Sequence, residues 1–364
     1  VELHKGLELN ERLRLLRPLS TGGMAHLWVA EHRTLGLEVV VKTLSPGVAA
    51  DATARQRLRR EARVTARVGG PHVVHVLDCD EGATSGDSEP FLAMELLRGE
   101  DLASRIARGT RLSIGETTIV VEHIASALEA AHGSGVVHRD VKPGNVFLVE
   151  TPQGFVAKLI DFGIAKDGLA PSLELTLHGA VMGTPAFMSP EQLVGARDVD
   201  SRCDVWSLAI VAYACLTGAL PFDGETFGSI CVAVHEGRFD AASHLRPELS
   251  TAVDTFFARA LRPAIGLRYQ TPRELADAFR EAAWADANLD VAVDVVWSGD
   301  DETCSAPTLL VLDDLDDLPV RRPATEAETD DNVPFELRQP ASGVRARVPA
   351  GRRDAGERGA RRRS

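Results

Sequence analysis

The chain has 364 residues, 44% of them hydrophobic and 5% aromatic, with 53 acidic side chains against 40 Lys and Arg and a formal net charge of −13. That length and apolar content can bury a sizeable core, and the acidic balance argues against nucleic acid as the main partner. The cysteines Cys79, Cys203, Cys215, Cys231 and Cys304 are scattered, odd in number and form no Cys-x-x-Cys pair, which indicates neither a disulfide framework nor a zinc site and predicts reduced, mostly buried thiols. No secretory segment opens the sequence, and no apolar run approaches the roughly 20 residues of a membrane helix. The expectation is a cytoplasmic protein with no transmembrane segment.

In chain order, Leu13 to Lys42 alternates apolar runs with turn residues, the pattern of a twisted antiparallel sheet. Val39-Val40-Val41 is a β-branched run fit for a buried strand, and it ends in Lys42, whose charge must be paired there. Glu61 is the expected partner. It lies in Ala54 to Val68, free of Pro and Gly and rich in Arg, Ala and Leu, which predicts a helix. Short strands follow near 73–78 and 91–96, with the polar stretch 82–89 between them. Beyond Gly99 the pattern turns helical, with apolar spacings of three and four from Ile114 to His132 and a nearly unbroken apolar run from Cys203 to Thr217. The fold class expected is α+β: a small antiparallel-sheet lobe with one main helix, set on a larger, mostly helical lobe.

The richest stretch is His138-Arg139-Asp140-Val141-Lys142-Pro143-Gly144-Asn145, followed by Asp161-Phe162-Gly163. It supplies a carboxylate to orient a hydroxyl, an ammonium for a γ-phosphate, and an amide and a second carboxylate for Mg²⁺. Either motif alone is weak, since His-Arg-Asp also ends ordinary strands and Asp-Phe-Gly also makes ordinary turns. In order and at this spacing they point to phosphoryl transfer.

With Val-Val-Val-Lys at 39–42, Gly-Thr-Pro-Ala-Phe-Met-Ser-Pro-Glu at 183–191 and Asp-Val-Trp-Ser-Leu at 204–208, the chain resembles the protein-kinase superfamily, most closely the bacterial serine/threonine kinases of eukaryotic type. The resemblance implies a catalytic domain over 7–284, with a small lobe at 7–96 and a large lobe at 97–284. It implies ATP and Mg²⁺, with Mn²⁺ as an alternative ion, and protein substrates with Ser or Thr hydroxyls. Carried onto this sequence, Asp140 would orient the attacking hydroxyl and Lys142 would neutralise the γ-phosphoryl charge. Lys42, fixed by Glu61, would place the α- and β-phosphates, and Asn145 and Asp161 would hold the metal ions. Leu27, Val40 and Phe147 would enclose the adenine beside the hinge residues Met94, Glu95 and Leu97. Glu191 would pair with Arg268, Asp204 would brace the catalytic loop, and Arg139 would bind a phosphate on Thr176, the site expected to be autophosphorylated, while Thr184 would shape the substrate shelf. Lys142 and Thr184 match the serine/threonine branch.

One motif departs from the family. Where Gly-x-Gly-x-x-Gly is usual, the chain has Ser20-Thr21-Gly22-Gly23-Met24-Ala25. Glycine serves there by close backbone approach to phosphate and by φ values costly for other residues, so Ser20 and Ala25 predict a weaker or more mobile nucleotide lid. That departure leaves a nucleotide-binding pseudokinase or scaffold as the alternative function. A small-molecule phosphotransferase is a third reading, disfavoured by the intact segment from Asp161 to Glu191.

After Trp284 the composition shifts. Residues 286–331 hold fourteen Asp or Glu against two Arg, and residues 338–364 hold nine Arg against two acids, so 285–364 is expected to be largely disordered. Within it, Thr308-Leu309-Leu310-Val311-Leu312 and the acidic-hydrophobic run to Leu318 suit either a docking segment or a partly ordered linker. Self-association is compatible with the sequence.

Overall fold

The computed structural model describes residues 3–23, 25–45, 47–49, 51–80, 90–162, 185–196 and 198–287. The first part is a five-stranded antiparallel sheet, ordered β1-β2-β3-β5-β4, from β1 (Leu13–Thr21), β2 (Ala25–His32), β3 (Leu37–Leu44), β4 (Val76–Asp80) and β5 (Phe91–Glu95). Strand alternation sorts its side chains. Val39 and Val41 join Phe91 and Ala93 in one apolar cluster, while Val40 joins Leu92 and Met94 in another. Lys42, two residues beyond Val40, therefore shares the second face. Leu3, Leu7 and Leu9 pack against the first cluster.

Helix α1 (Ala52–Thr65) starts two residues before the expected Ala54 and stops short of Val68. Asp51 caps it by accepting the Thr53 amide at 2.8 Å, and the amide of Val68 falls into a closing turn on Val64 and Thr65. Its buried face, Ala54, Leu58, Ala62 and Thr65, has helical spacing. Leu58 and Ala62 pack into the cluster that holds Val40.

The remainder is mainly helical around α3 (Ile114–Gly133) and α5 (Arg202–Thr217). A capping box of Ser113 and Glu116 starts α3. In α5 every residue from Cys203 to Thr217 is buried, as the apolar run predicts. Around them lie α2 (Leu102–Ala107), α4 (Pro190–Leu193), α6 (Phe227–Glu236), α7 (Ala242–Leu245), α8 (Thr251–Ala260) and α9 (Pro272–Ala287).

The sequence reading missed a three-stranded sheet between the two parts: β6 (Gly99–Asp101), β7 (Val146–Thr151) and β8 (Gly154–Leu159), with β7 central. The β7–β8 pairing is a hairpin whose signal was present, two apolar runs around Thr151-Pro152-Gln153-Gly154. Gly99 is obligatory at its edge. It has φ 140°, and a Cβ there would lie 2.0 Å from the Leu148 carbonyl oxygen. The chain thus forms a two-lobed α+β fold, with the hairpin and the end of β5 meeting where the lobes join.

Candidate active site

At that junction is a cleft of about 450 Å³, including the space open to solvent at its mouth. Leu27, Val40 and Met94 line it from the five-stranded sheet, Phe147 and Ile160 from the hairpin side, with Glu95 and Leu97 at the connection and Lys42 and Asp161 at the polar end. Most of the wall is apolar and a few polar groups converge, the usual composition of a small-molecule site. Ser20, Gly22, Gly23 and Ala25 are not among its described lining residues.

Lys42 Nζ donates to Glu61 Oε1 at 2.8 Å and to Asp161 Oδ2 at 3.1 Å, so α1, β3 and the chain after β8 meet on one ammonium. Burial opposes the Lys42 charge, but the Asp161 and Glu61 carboxylates outweigh it and hold the ammonium above its usual range. Burial, and then the Asp161 charge, push Glu61 up from the usual carboxylate range, with Lys42 acting against both. Two carboxylates facing one ammonium form a site short of positive charge.

Asp140 follows a strained residue. Arg139 has φ 64°, the only positive value outside glycine among the described residues, a conformation that costs about 1 kcal/mol or more. It is held from both ends: its amide donates to Asp204 Oδ1 at 2.7 Å, and its carbonyl accepts from Gln192 Nε2 at 3.0 Å. Asp204, fully buried in α5, also accepts the His138 amide at 2.9 Å and His132 Nε2 at 2.8 Å. The Asp140 amide donates to His138 Nδ1 at 3.2 Å, and burial lowers the pKa of that imidazole. Lys142 Nζ stands 3.5 Å from Asp140 Oδ2.

Asn145, in the 3₁₀ turn Pro143–Asn145, donates its amide nitrogen to the Asp140 carbonyl at 2.7 Å and to Asp140 Oδ2 at 3.2 Å. Its side-chain oxygen is the end left for a cation. Its backbone carbonyl accepts the Ile160 amide at 3.0 Å, which ties the turn to the residue before Asp161. Arg268 is 1% exposed and forks onto Glu191 through two bonds of 2.9 Å, with its guanidinium carbon 4.6 Å from the Trp206 ring centre.

The structure therefore brings together Lys42, Glu61 and Asp161, then Asp140, Lys142 and Asn145, and separately Glu191 and Arg268. Thr176 and Thr184 lie outside the described residues, as do Gly163 and the acidic and Arg-rich stretches beyond 287. Ser20 and Ala25 lie in the strands on either side of the two glycines, paired with Leu27 and Leu44, and neither has a positive φ. Lys158 was missed by the sequence reading. Its Nζ donates to Glu95 Oε1 at 2.5 Å, and the same oxygen accepts the His75 amide at 2.8 Å. Only the β7–β8 pairing could have disclosed it.

A family profile described as protein kinase domain matches residues 13–277. The chain is 38% identical over 274 residues to the serine/threonine-protein kinase PknA of Mycobacterium tuberculosis, covering 75% of this chain and 62% of that protein. It is 36% identical over 293 residues to PknH of the same organism, covering 80% of this chain and 45% of the relative. Against the serine/threonine-protein kinase pkn2 of Myxococcus xanthus it is 37% identical over 285 residues, covering 76% of this chain and 33% of that protein. The chain thus spans less than two thirds of the length of these relatives. Among solved structures it resembles the crystal structure of the Mycobacterium tuberculosis PknI kinase domain, at 30% identity and a TM-score of 0.60, over 77% of this chain and all of that one.

Proposed function

This chain belongs to the protein kinase domain family, and from that premise we propose that it transfers the γ-phosphate of ATP to Ser or Thr hydroxyls of protein substrates, through a catalytic domain spanning 7–284. The observation that carries the reading is the convergence of Lys42, Glu61 and Asp161 at the polar end of an apolar cleft, with Asp140, Lys142 and Asn145 linked to it through Ile160.

In this reading the apolar walls of Val40, Leu27 and Phe147 take the adenine, beside backbone groups of 94–97. Lys42, oriented by Glu61, binds the α- and β-phosphates as a fixed positive charge. Asp140 accepts a hydrogen bond from the substrate hydroxyl, orients it, and takes its proton as the new bond to phosphorus forms. Lys142 opposes the negative charge that develops on the transferred group. Mg²⁺ fits the residues present, because an excess carboxylate and an amide oxygen are hard oxygen donors at a site short of positive charge. Asp161 and Asn145 would hold it, and it would supply neutralisation of the phosphate oxygens; Mn²⁺ suits the same donors. Arg139 and Thr176 extend the reading to an autophosphorylation switch, which phosphate mapping over residues 166–182 of active protein would test.

The experiment is transfer of labelled phosphate from ATP to a Ser/Thr-containing acceptor. Lys42→Ala and Asp161→Ala should each lower turnover by at least about a hundredfold while remaining folded, since both face the cleft more than the core. Nucleotide binding with no turnover in the wild type would favour the pseudokinase alternative.

A further inference from the structure

The β2–β3 ladder ends at the pair Ala25 and Leu44. One residue further, Ser45 is 6% exposed, and its hydroxyl donates to the Gly23 carbonyl at 2.7 Å. A side chain thus adds one more link after the last strand pair. The Ser45 carbonyl accepts the amides of Val48 and Ala49, each at 2.9 Å, in the turn that leads to Asp51 and α1. Ser45 lies three residues past Lys42, so it joins the β1–β2 loop to the strand and helix that carry the Lys42–Glu61 pair.

The loop faces open space at that point. Gly23 is exposed, and a Cβ built on it would touch nothing within 4 Å. The Gly22 amide donates to the Ala25 carbonyl at 3.0 Å, a bond that closes the turn on itself. The Ser45 hydroxyl instead reaches the turn from the end of β3. A carbonyl engaged this way cannot swing its negative end towards a phosphate, while a released one can.

We propose that Ser45 is a positioning residue for the nucleotide phosphates: its hydroxyl holds the Gly23 carbonyl and so fixes the loop in which Ser20 and Ala25 replace the usual glycines. The inference rests on the ATP reading above. The effect should depend on phosphate, because the adenine walls are on other residues, and the fold should survive, because Gly23 is exposed at the surface.

The test compares the full chain with Ser45→Ala and Ser45→Thr, measuring kcat, the KM for ATP, and the dissociation constants of ATP and adenosine. Ser45→Ala should weaken ATP binding and raise its KM by about threefold to tenfold, the range of one lost hydrogen bond. Adenosine affinity should stay within about twofold, and kcat should change less than KM. Ser45→Thr, which keeps the hydroxyl, should recover most of the loss. ATP binding unchanged in Ser45→Ala, or ATP and adenosine weakened in equal proportion, would overturn the anchor. A wild type that binds no ATP would instead overturn the nucleotide reading itself, and this inference with it.

Discussion

Replacing Asp204 with Asn keeps the shape of the side chain and removes one acceptor. The carboxylate accepts the amides of His138 and Arg139 and the His132 ring, at 2.9, 2.7 and 2.8 Å, and a weaker bond from the Cys203 thiol at 3.7 Å, with no exposed surface. Asn has one acceptor oxygen, so its NH₂ must face at least one of those N–H groups. A charge-assisted bond contributes about 1.5–3 kcal/mol, and a buried donor left unmatched costs about 1–3 kcal/mol. The loss should therefore be about 3 kcal/mol, and nearer 4–5 kcal/mol for Asp204→Ala. Part of it falls on the backbone of Arg139, whose φ of 64° is sustained by this contact. Urea unfolding followed by tryptophan fluorescence should show the midpoint for Asp204→Asn about 1 M lower, for a slope of about 3 kcal/mol per M. Phosphoryl transfer in native buffer should fall by about a hundredfold, since Asp140 is the next residue and small misplacements are costly. A midpoint within about 0.2 M of wild type with full activity would refute the reasoning.

Other changes follow from the same geometry. Glu191→Ala leaves the buried Arg268 guanidinium without its carboxylate and should destabilise by about 3–5 kcal/mol, seen as an earlier unfolding midpoint; Arg268→Lys should rescue little, because an ammonium cannot reproduce the fork. His123 stacks on His72 at 3.9 Å and accepts the Ala157 amide, and burial, then the His72 charge, lowers its pKa to about 4. The unfolded imidazole titrates near 6.5 and so takes up a proton first as pH falls. Stability should drop between about pH 6.5 and 4, by about 1–2 kcal/mol once the partial exposure of the ring is discounted. His123→Gln should flatten that part of the pH–stability curve, and an unchanged slope would count against the assignment. Ser20→Gly with Ala25→Gly should not lower the KM for ATP, since both residues occupy ordinary strand backbone where glycine adds only freedom; a KM reduced threefold or more would show that their Cβ atoms obstruct the phosphates.

Much of this was legible because the signals are local. The Val39–Val41 run fixes a strand, and its period of two sets Lys42 on the same face as Val40. The apolar run at 203–217 could only be buried on all sides, a segment free of Pro and Gly put Glu61 on a helix, and the buried Lys42 charge called for such a partner. What escaped depends on distant pairing or on backbone geometry. Of the β6–β8 sheet, β6 has only three residues and takes its identity from pairing with β7, and the role of Lys158 exists only after β7 and β8 pair. Ser45 is an unremarkable polar residue until the β2–β3 register brings it to Gly23. That Ser20 and Ala25 are strand positions is likewise visible only after pairing, since motif comparison treats them as loop and β1 and β2 extend through them.

The central claim is that Asp140 acts on a substrate hydroxyl in a site where Lys42 and Asp161 serve the nucleotide. Single-turnover transfer of labelled γ-phosphate to a Ser/Thr acceptor, wild type against Asp140→Asn at equal ATP saturation, addresses it most directly. Asp140→Asn should bind ATP within about threefold of wild type and transfer at least about a hundredfold more slowly, with label on Ser or Thr in the wild-type reaction. Equal transfer rates for the two proteins, at matched nucleotide occupancy, would contradict it.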